Sequence, residues 1–426
     1  MAEILQKEIL PRVSLTAVHT SKFKSSYMSL QFLAPLREEN ASLNALVPMV
    51  LRRGTERCPD MQALSAALDE LYGGTIEPAI RKKGSSQCVG FAASFLDDVY
   101  APDGSAILDA AADLLGELLL SPATGGQGGF LPAYVEGERA NLVDRIRAQI
   151  NDKRQYAAQR LNQLMCREPD RLGDESHAAA ITGETLWERY QALFGCPIQV
   201  YYAGSAPFEL VEAAFRRALS GLGSHSAAAV SPAVIVPLPE AATQSHEEAM
   251  DVTQGKLGLG FRCGVRLIDP DYPAMHILNA LFGGTTTSKL FLNVREKLSL
   301  CYYASSQYDK FRGLLLVSSG VEFDKRREAQ EEILTQLENC RRGSIEPWEL
   351  EAAKRSAVSA TLTMLDSQSR MEDFWLGQAV MAGGGPEELA ARYEAVTMDE
   401  VVAAAQKVTL HTVYFLKGKE ENTHGH

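Results

Sequence analysis

The stretch Leu281 to Tyr303, LFGGTTTSKLFLNVREKLSLCYY, decides how the rest of the chain is read. Gly283 and Gly284 follow the apolar-periodic run Met275, Ile277, Leu278, Leu281 and Phe282. Glycine accepts φ > 0 without a Cβ penalty, so the pair predicts a helix end. Ser288 then opens a second short helix, with Leu290, Phe291 and Val294 on its buried side and Arg295, Glu296 and Lys297 at its far end. The run Leu300–Ala304 reads as a strand. Arg295 therefore lies at a helix end and Tyr302 at a strand start, two long polar-tipped groups able to reach a peptide carbonyl or an oxyanion.

Around this stretch the predicted elements are strand Leu259–Val265, helix Asp271–Phe282, strands Tyr302–Asp309 and Leu314–Val321, helices Arg326–Arg341 and Glu349–Leu365, and a last strand near Thr412–Leu416. The first half has the same order. Strands Val13–His19 and Ser25–Ala34 precede a helix Ala41–Arg53 closed by Gly54, and a further helix covers Asp60–Leu71. Strands Thr75–Lys82 and Gln87–Phe95, helix Ser105–Leu120, two long amphipathic helices near Leu131–Ile150 and Lys153–Met165, strand Ile198–Ala203 and helix Phe208–Ser220 complete it. The glycine-rich loop Thr124–Gly129 lacks the Lys-Ser/Thr that phosphate cradling needs and reads as a surface insertion.

Two copies of a strand–helix–hairpin–helix unit imply an α+β protein of two homologous domains, each an antiparallel sheet covered by helices on one face. The copies align where Leu30-Gln-Phe32 and the helix ending Arg53-Gly54-Thr55 match Leu259-Gly-Phe261 and the helix ending Gly283-Gly284-Thr285. The stretch Ala227–His246, rich in Ala, Pro and Ser, reads as a linker, placing one domain at 1–226 and the other at 247–426.

Composition sets the class. The chain has 426 residues, 46% hydrophobic and 23% charged, as in ordinary globular proteins. Its net charge of −12 argues against nucleic acid and anionic membranes as partners. The N-terminus MAEILQKEILPRVSL lacks the basic and uninterrupted apolar regions of a signal peptide, and no apolar run is long enough to cross a bilayer. Seven scattered cysteines without a CxxC pair fit reduced thiols, so the expected location is cytoplasmic.

The pattern of Gly283, Gly284, Ser288, Leu290, Phe291, Arg295, Glu296 and Tyr302 resembles the second domain of the pitrilysin/insulinase zinc metallopeptidase family, in its processing-protease-like branch. The resemblance implies that Arg295 and Tyr302 sit opposite a zinc ion and hold the substrate backbone, with Gly283, Gly284 and Ser288 at the peptide-binding segment. A zinc hydrolase needs three protein ligands, an open position for water and a carboxylate base. In the family the first domain supplies these through His-x-x-Glu-His on a helix, where a spacing of four puts both imidazoles on one face, and a distal Glu. Aligned on Gly54–Thr55, those positions hold Ala45, Leu46, Val47, Pro48 and Met49, and the distal helix offers Asp144–Arg145. The histidines and the base are missing. The eight histidines show no HxxH, HxxxH or HExxH spacing; only His424 and His426 in the tail stand close together.

No GxSxG, GxGxxG after a strand or Walker A run is present, and the carboxylate pairs Asp97–Asp98 and Glu247–Glu248 read as solvated. Three readings follow. The first is a non-catalytic subunit that binds unfolded peptide by β-augmentation and completes, through Arg295 and Tyr302, the active site of an HxxEH-bearing paralogue in a heterodimer. Zinc is then expected only in the partner, and this chain holds no cofactor. The second is a homodimeric structural or peptide-binding pseudo-peptidase. The third is an autonomous zinc-dependent endopeptidase with an atypical metal site.

Overall fold

The computed structural model describes residues 3–125, 128–224, 227–230 and 242–419. Part of the glycine-rich loop, residues 231–241 of the expected linker, His225 and the His424/His426 pair lie outside the described residues. In chain order the regular elements are β1 (Glu3–Leu10), β2 (Val13–His19), β3 (Ser25–Pro35), α1 (Glu38–Leu51), α2 (Met61–Glu70), β4 (Thr75–Lys83), β5 (Ser86–Leu96), α3 (Ile107–Leu120), α4 (Pro132–Ala148) and α5 (Lys153–Cys166). Then come α6 (Glu175–Ala179), α7 (Gly183–Leu193), β6 (Ile198–Gly204), α8 (Phe208–Ala218), β7 (Gln244–Met250), β8 (Gly255–Arg262) and α9 (Tyr272–Asn279). The chain ends with β9 (Cys301–Asp309), β10 (Leu314–Val321), α10 (Arg326–Arg341), α11 (Pro347–Thr363), α12 (Gln368–Val380), α13 (Pro386–Glu394), α14 (Met398–Gln406) and β11 (Thr409–Gly418).

These elements form two compact units, the first from Met1–Arg147, Glu168–Val234 and Ser367–Val380, the second from Ala148–Arg167, Ile235–Asp366 and Met381–His426. Each unit has its own sheet. The first runs β1-β2-β6-β3-β5-β4 and the second β7-β11-β8-β10-β9. Pairing is antiparallel except for β2 with β6 and β11 with β7, which are parallel. The α+β class and the two duplicated sheets are as expected. The unit boundaries differ from a simple cut at 227–246, because α5 belongs to the second unit and α12 to the first.

The reason lies in strand alternation. Along β3, Met28, Leu30 and Phe32 enter the core with Leu46 of α1 and Leu115 of α3, whereas Ser29 between them donates to Glu372 of α12 at 2.7 Å. Glu372 is fully buried and also pairs with Arg81 of β4. Thus α12 lies on the face that the helix layer leaves bare. In the second unit, Leu314 of β10 and Tyr414 and Leu416 of β11 pack with Ala157, Leu161 and Met165 of α5. A Cβ on Gly260 of β8 would stand 2.1 Å from the Met165 sulfur and 3.2 Å from Leu161, so glycine there lets the helix seat on the sheet. Each sheet therefore carries one helix on its second face in addition to the helix layer predicted on the first.

The expected linker also ends earlier than predicted. Gln244–Met250 is strand β7, held parallel to β11. Its alternating exposed and half-buried residues look like a polar connector in sequence, and pairing with a strand more than a hundred residues away makes it regular. Glu248 accepts from Arg160 at 2.8 Å and from the hydroxyls of Tyr156 and Tyr414 at 3.0 Å, tying β7 and β11 to α5.

The exchange has a testable consequence. A protease site engineered between Ala227 and Val230 should, after cleavage, leave two fragments that co-elute on size exclusion without denaturant, because each supplies a helix to the other fragment's sheet. Residues 247–426 expressed alone should be insoluble, since Leu314, Tyr414 and Leu416 lose α5; a folded, soluble fragment would show that α5 is dispensable.

Candidate functional site

The helical parts of the Leu281–Tyr303 stretch are wound more loosely than an α-helix. Ala280–Gly284 and Leu290–Lys297 are π-helical, a winding that is rare and concentrates at functional sites. Neither Gly283 nor Gly284 has positive φ, so the predicted left-handed helix end is not what requires them. Close approach is. A Cβ on Gly283 would meet the Ser306 nitrogen and Oγ at 2.7 Å and Leu290 at 2.8 Å, and one on Gly284 would meet Asn279 at 3.0 Å. Ser306 Oγ in turn donates to Asn279 Oδ1 at 2.8 Å, which fixes β9 against the turn.

Ser288 is wholly buried, and its Oγ accepts the Phe291 N–H at 3.4 Å, so it starts the second helix as predicted. Of the three residues assigned to peptide binding, Gly283 and Ser288 face the interior and Gly284 faces solvent. Lys289, next along, forms an enclosed ion pair with Glu349 of α11 at 2.8 and 2.9 Å. Asn293 donates to Gln336 of α10 at 2.9 Å. These contacts anchor the inner side of the segment and leave its far end outward.

At that end Arg295 and Tyr302 line one cleft of about 400 Å³ with Glu296, Ser299, Leu300, Cys301, Glu322 and Lys325. The chain turns into β9 through Ser299, whose φ of 50° lies in the left-handed region, with Leu300 N–H bonded to the Val294 carbonyl at 3.0 Å. A serine gave no sequence sign of this turn. The Arg295 guanidinium lies over the Phe291 ring at 4.7 Å and beside Glu296 at 3.4 Å, with its side chain 41% exposed. Tyr302 is 61% exposed and donates its hydroxyl to Glu322 at 3.1 Å. The hydrogen bond to this carboxylate and its negative charge raise the phenol pKa above its ordinary value. With its proton committed to Glu322, the Tyr302 hydroxyl keeps acceptor capacity, while the Arg295 guanidinium is a donor. Glu322 and Lys325 were missed in the sequence because β10 places them beside β9 only in the fold.

The positions of the family's zinc motif do not fit a metal. Ala45, Leu46, Val47, Pro48 and Met49 all lie within the buried stretch of α1, and Ala45 and Met49 are 0% and 3% exposed among core side chains. Asp144 on α4 is 78% exposed and points to Arg147 at 3.9 Å. Elsewhere among the described residues, one trio of Glu38, Asp174 and His177 brings ligand atoms within 4.8 Å. Its Asp174 is engaged in capping α6 through the His177 N–H at 3.0 Å.

Two outcomes test this geometry. Glu322→Gln should lower the Tyr302 pKa towards its ordinary value, because removing the neighbouring negative charge favours the phenolate; ultraviolet titration against a Tyr302→Phe control reads it, and an unchanged curve would sink the hydrogen bond. Glu349→Ala should cost about 3–5 kcal/mol, the cost of leaving Lys289 charged and buried, and show as a lower Tm. The double change of Lys289→Met with Glu349→Leu should recover most of it.

Comparison with known proteins identifies the family of the chain. Residues 197–357 match the family model described as Peptidase M16 inactive domain. The chain is 35% identical over 417 residues to the probable inactive metalloprotease YmfF of Bacillus subtilis (strain 168), covering 95% of each chain. Among solved structures it superposes on a conserved protein from Enterococcus faecalis V583 with a TM-score of 0.89 and 27% identity, over 98% of this chain and 99% of that one. A peptidase M16 inactive domain from Pseudomonas fluorescens shares the fold at a TM-score of 0.76 and 16% identity, over 98% of both chains. The chain belongs to the M16 metallopeptidase family, as an inactive homologue without the HxxEH zinc motif.

Proposed function

We propose that this pseudo-peptidase is the non-catalytic subunit of a heterodimeric M16 peptidase, binding extended peptide and completing the active site of an HxxEH-bearing paralogue. The observation that carries the reading is the contrast within one chain. The zinc positions of α1 are filled by core side chains, whereas Arg295 and Tyr302 converge on an open cleft. An arginine and a tyrosine at one cleft, with an enclosed Lys289–Glu349 pair and two close-approach glycines behind them, offer a donor and an acceptor. β9, which begins beside Tyr302, is the outer strand of its sheet, and an outer strand offers main-chain pairing with little demand on sequence. Zinc and the water-activating carboxylate belong to the partner in this scheme, and the complex works in the cytoplasm.

The test is reconstitution. Mixed with its HxxEH-bearing paralogue, the chain should give a complex of one copy each that cleaves a quenched unfolded peptide, with neither chain active alone. Arg295→Ala should then lower kcat/KM by about 10- to 100-fold, the effect of losing one charge-assisted hydrogen bond to the substrate. Full activity of the Arg295→Ala complex, or self-association with no heteromeric complex, would replace this reading with that of a homodimeric structural protein.

A further inference from the structure

A second concavity lies within the second unit, on the face of the sheet that α5 covers. Strand register builds it. Gly258 of β8, Ser318 of β10 and Ser305 of β9 stand in one cross-strand row, and Lys256, Gly320 and Tyr303 in the next. Three small side chains in a row leave a trough beneath α5, whose Ala157, Ala158 and Leu161 form its wall. The cavity measures about 370 Å³, room for a side chain or a chain end. In the neighbouring row the Tyr303 ring lies across Gly320, where a Cβ would stand 2.5 Å from it. That aromatic shelf holds Arg154, whose guanidinium sits 4.0 Å from the ring centroid and donates to Ser305 Oγ at 3.4 Å.

The charges at this trough are unbalanced. Among the described residues no carboxylate pairs with Arg154, and the Lys256 ammonium has only the Gln254 amide oxygen, at 2.6 Å. Asp152, the acidic residue of the lining, accepts from the N–H groups of Arg154 and Gln155 as the cap of α5. Burial and then the nearby Arg154 charge lower the Lys256 pKa, and the single Asp152 carboxylate offsets this only in part, so two cations share one anion already engaged as a helix cap. In a chain of net charge −12, an arginine stacked on a tyrosine at the mouth of a cavity, with no carboxylate bonded to it among the described residues, is set up for an incoming anion.

We propose that this trough, floored by Gly258, Ser305 and Ser318 and rimmed by Arg154, with Lys256 in the neighbouring cross-strand row, is a subsite for a carboxylate of the bound peptide, supplied by an acidic side chain or by the C-terminus. The proposal rests on the reading of the chain as a peptide-binding subunit. It assigns Arg154 a role in selecting peptides that differs from that of Arg295, which contacts the main chain of any sequence.

The experiment uses the full chain and three fluorescent decapeptides of one unstructured sequence: capped with a central Glu, capped with Gln in its place, and the Gln form with a free C-terminal carboxylate. Anisotropy titrations compare wild type, Arg154→Ala, Arg154→Lys and Arg295→Ala. One or both carboxylate peptides should bind about tenfold tighter than the capped Gln peptide, as one charge-assisted contact predicts, and whichever does so identifies the source of the carboxylate. Arg154→Ala should abolish that preference, and Arg154→Lys should retain part of it, since a lysine keeps charge but loses the stacked fork. Equal binding of all three peptides to wild type, or a preference that survives Arg154→Ala, overturns the subsite while leaving peptide binding intact. If Arg295→Ala changes nothing but Arg154→Ala removes the preference, the subsite stands and the role given to Arg295 falls. No binding of any peptide to wild type overturns both.

Discussion

A sheet has two faces, and the helix layer of each repeat in this chain covers one. The bare face sets the main constraint on the fold, because the alternation of a strand sends every second residue into it. Both units meet the constraint by a helix taken from a distant part of the chain. Helix α12 buries Glu372 against Ser29 and Arg81, and α5 seats Leu161 and Met165 over Gly258 and Gly260. The chemistry of the two contacts differs: one is a polar lock and the other an apolar seat on glycine. Their common effect is that neither sheet is complete without residues that lie outside its own stretch of sequence.

The same close-approach logic shapes the candidate site. Glycine at 283 brings the π-helical turn onto Ser306, and the Lys289–Glu349 pair fastens the next turn to α11. A buried ion pair adds little net stability, but it tolerates only one geometry, because either charge alone in the interior is costly. Arg295 and Tyr302 thus hang from a segment whose inner side is fixed, and they project into solvent with their hydrogen-bonding roles set, Tyr302 by Glu322 and Arg295 by its seat on Phe291.

In the first unit, the positions of the family's zinc motif hold side chains that cannot bind a metal. Imidazoles that bind zinc must reach an open cavity, whereas Ala45 and Met49 are small or flexible apolar groups packed among core side chains. Residues 45–49 carry no polar side chain, and this part of the helix packs into the core. Pro48 within α1 is compatible with this, since Arg52 N–H still reaches the Pro48 carbonyl at 3.1 Å and the helix closes normally one turn later.

By itself the sequence determined the α+β class, the duplicated order of strands and helices, the absence of HxxEH and the convergence of Arg295 and Tyr302 on one segment, because periodicity, glycine placement and short-range spacing are local properties of a chain. It also carried the start of the second helix at Ser288. Tertiary structure alone decided the exchange of α5 and α12, the regularity of β7, the true role of Gly283, and the neighbours of the site at Glu322 and Lys325. Strand β1, with its mixed charged and apolar residues, and helices α7, α12, α13 and α14 went unread for the same reason: their pattern gains meaning only against a partner surface. The trough at Arg154 is the clearest case. Its floor comes from three strands and its rim from a helix more than a hundred residues earlier, so no spacing within the sequence connects Arg154 to Tyr303, Ser305 or Lys256 until register and packing bring them together.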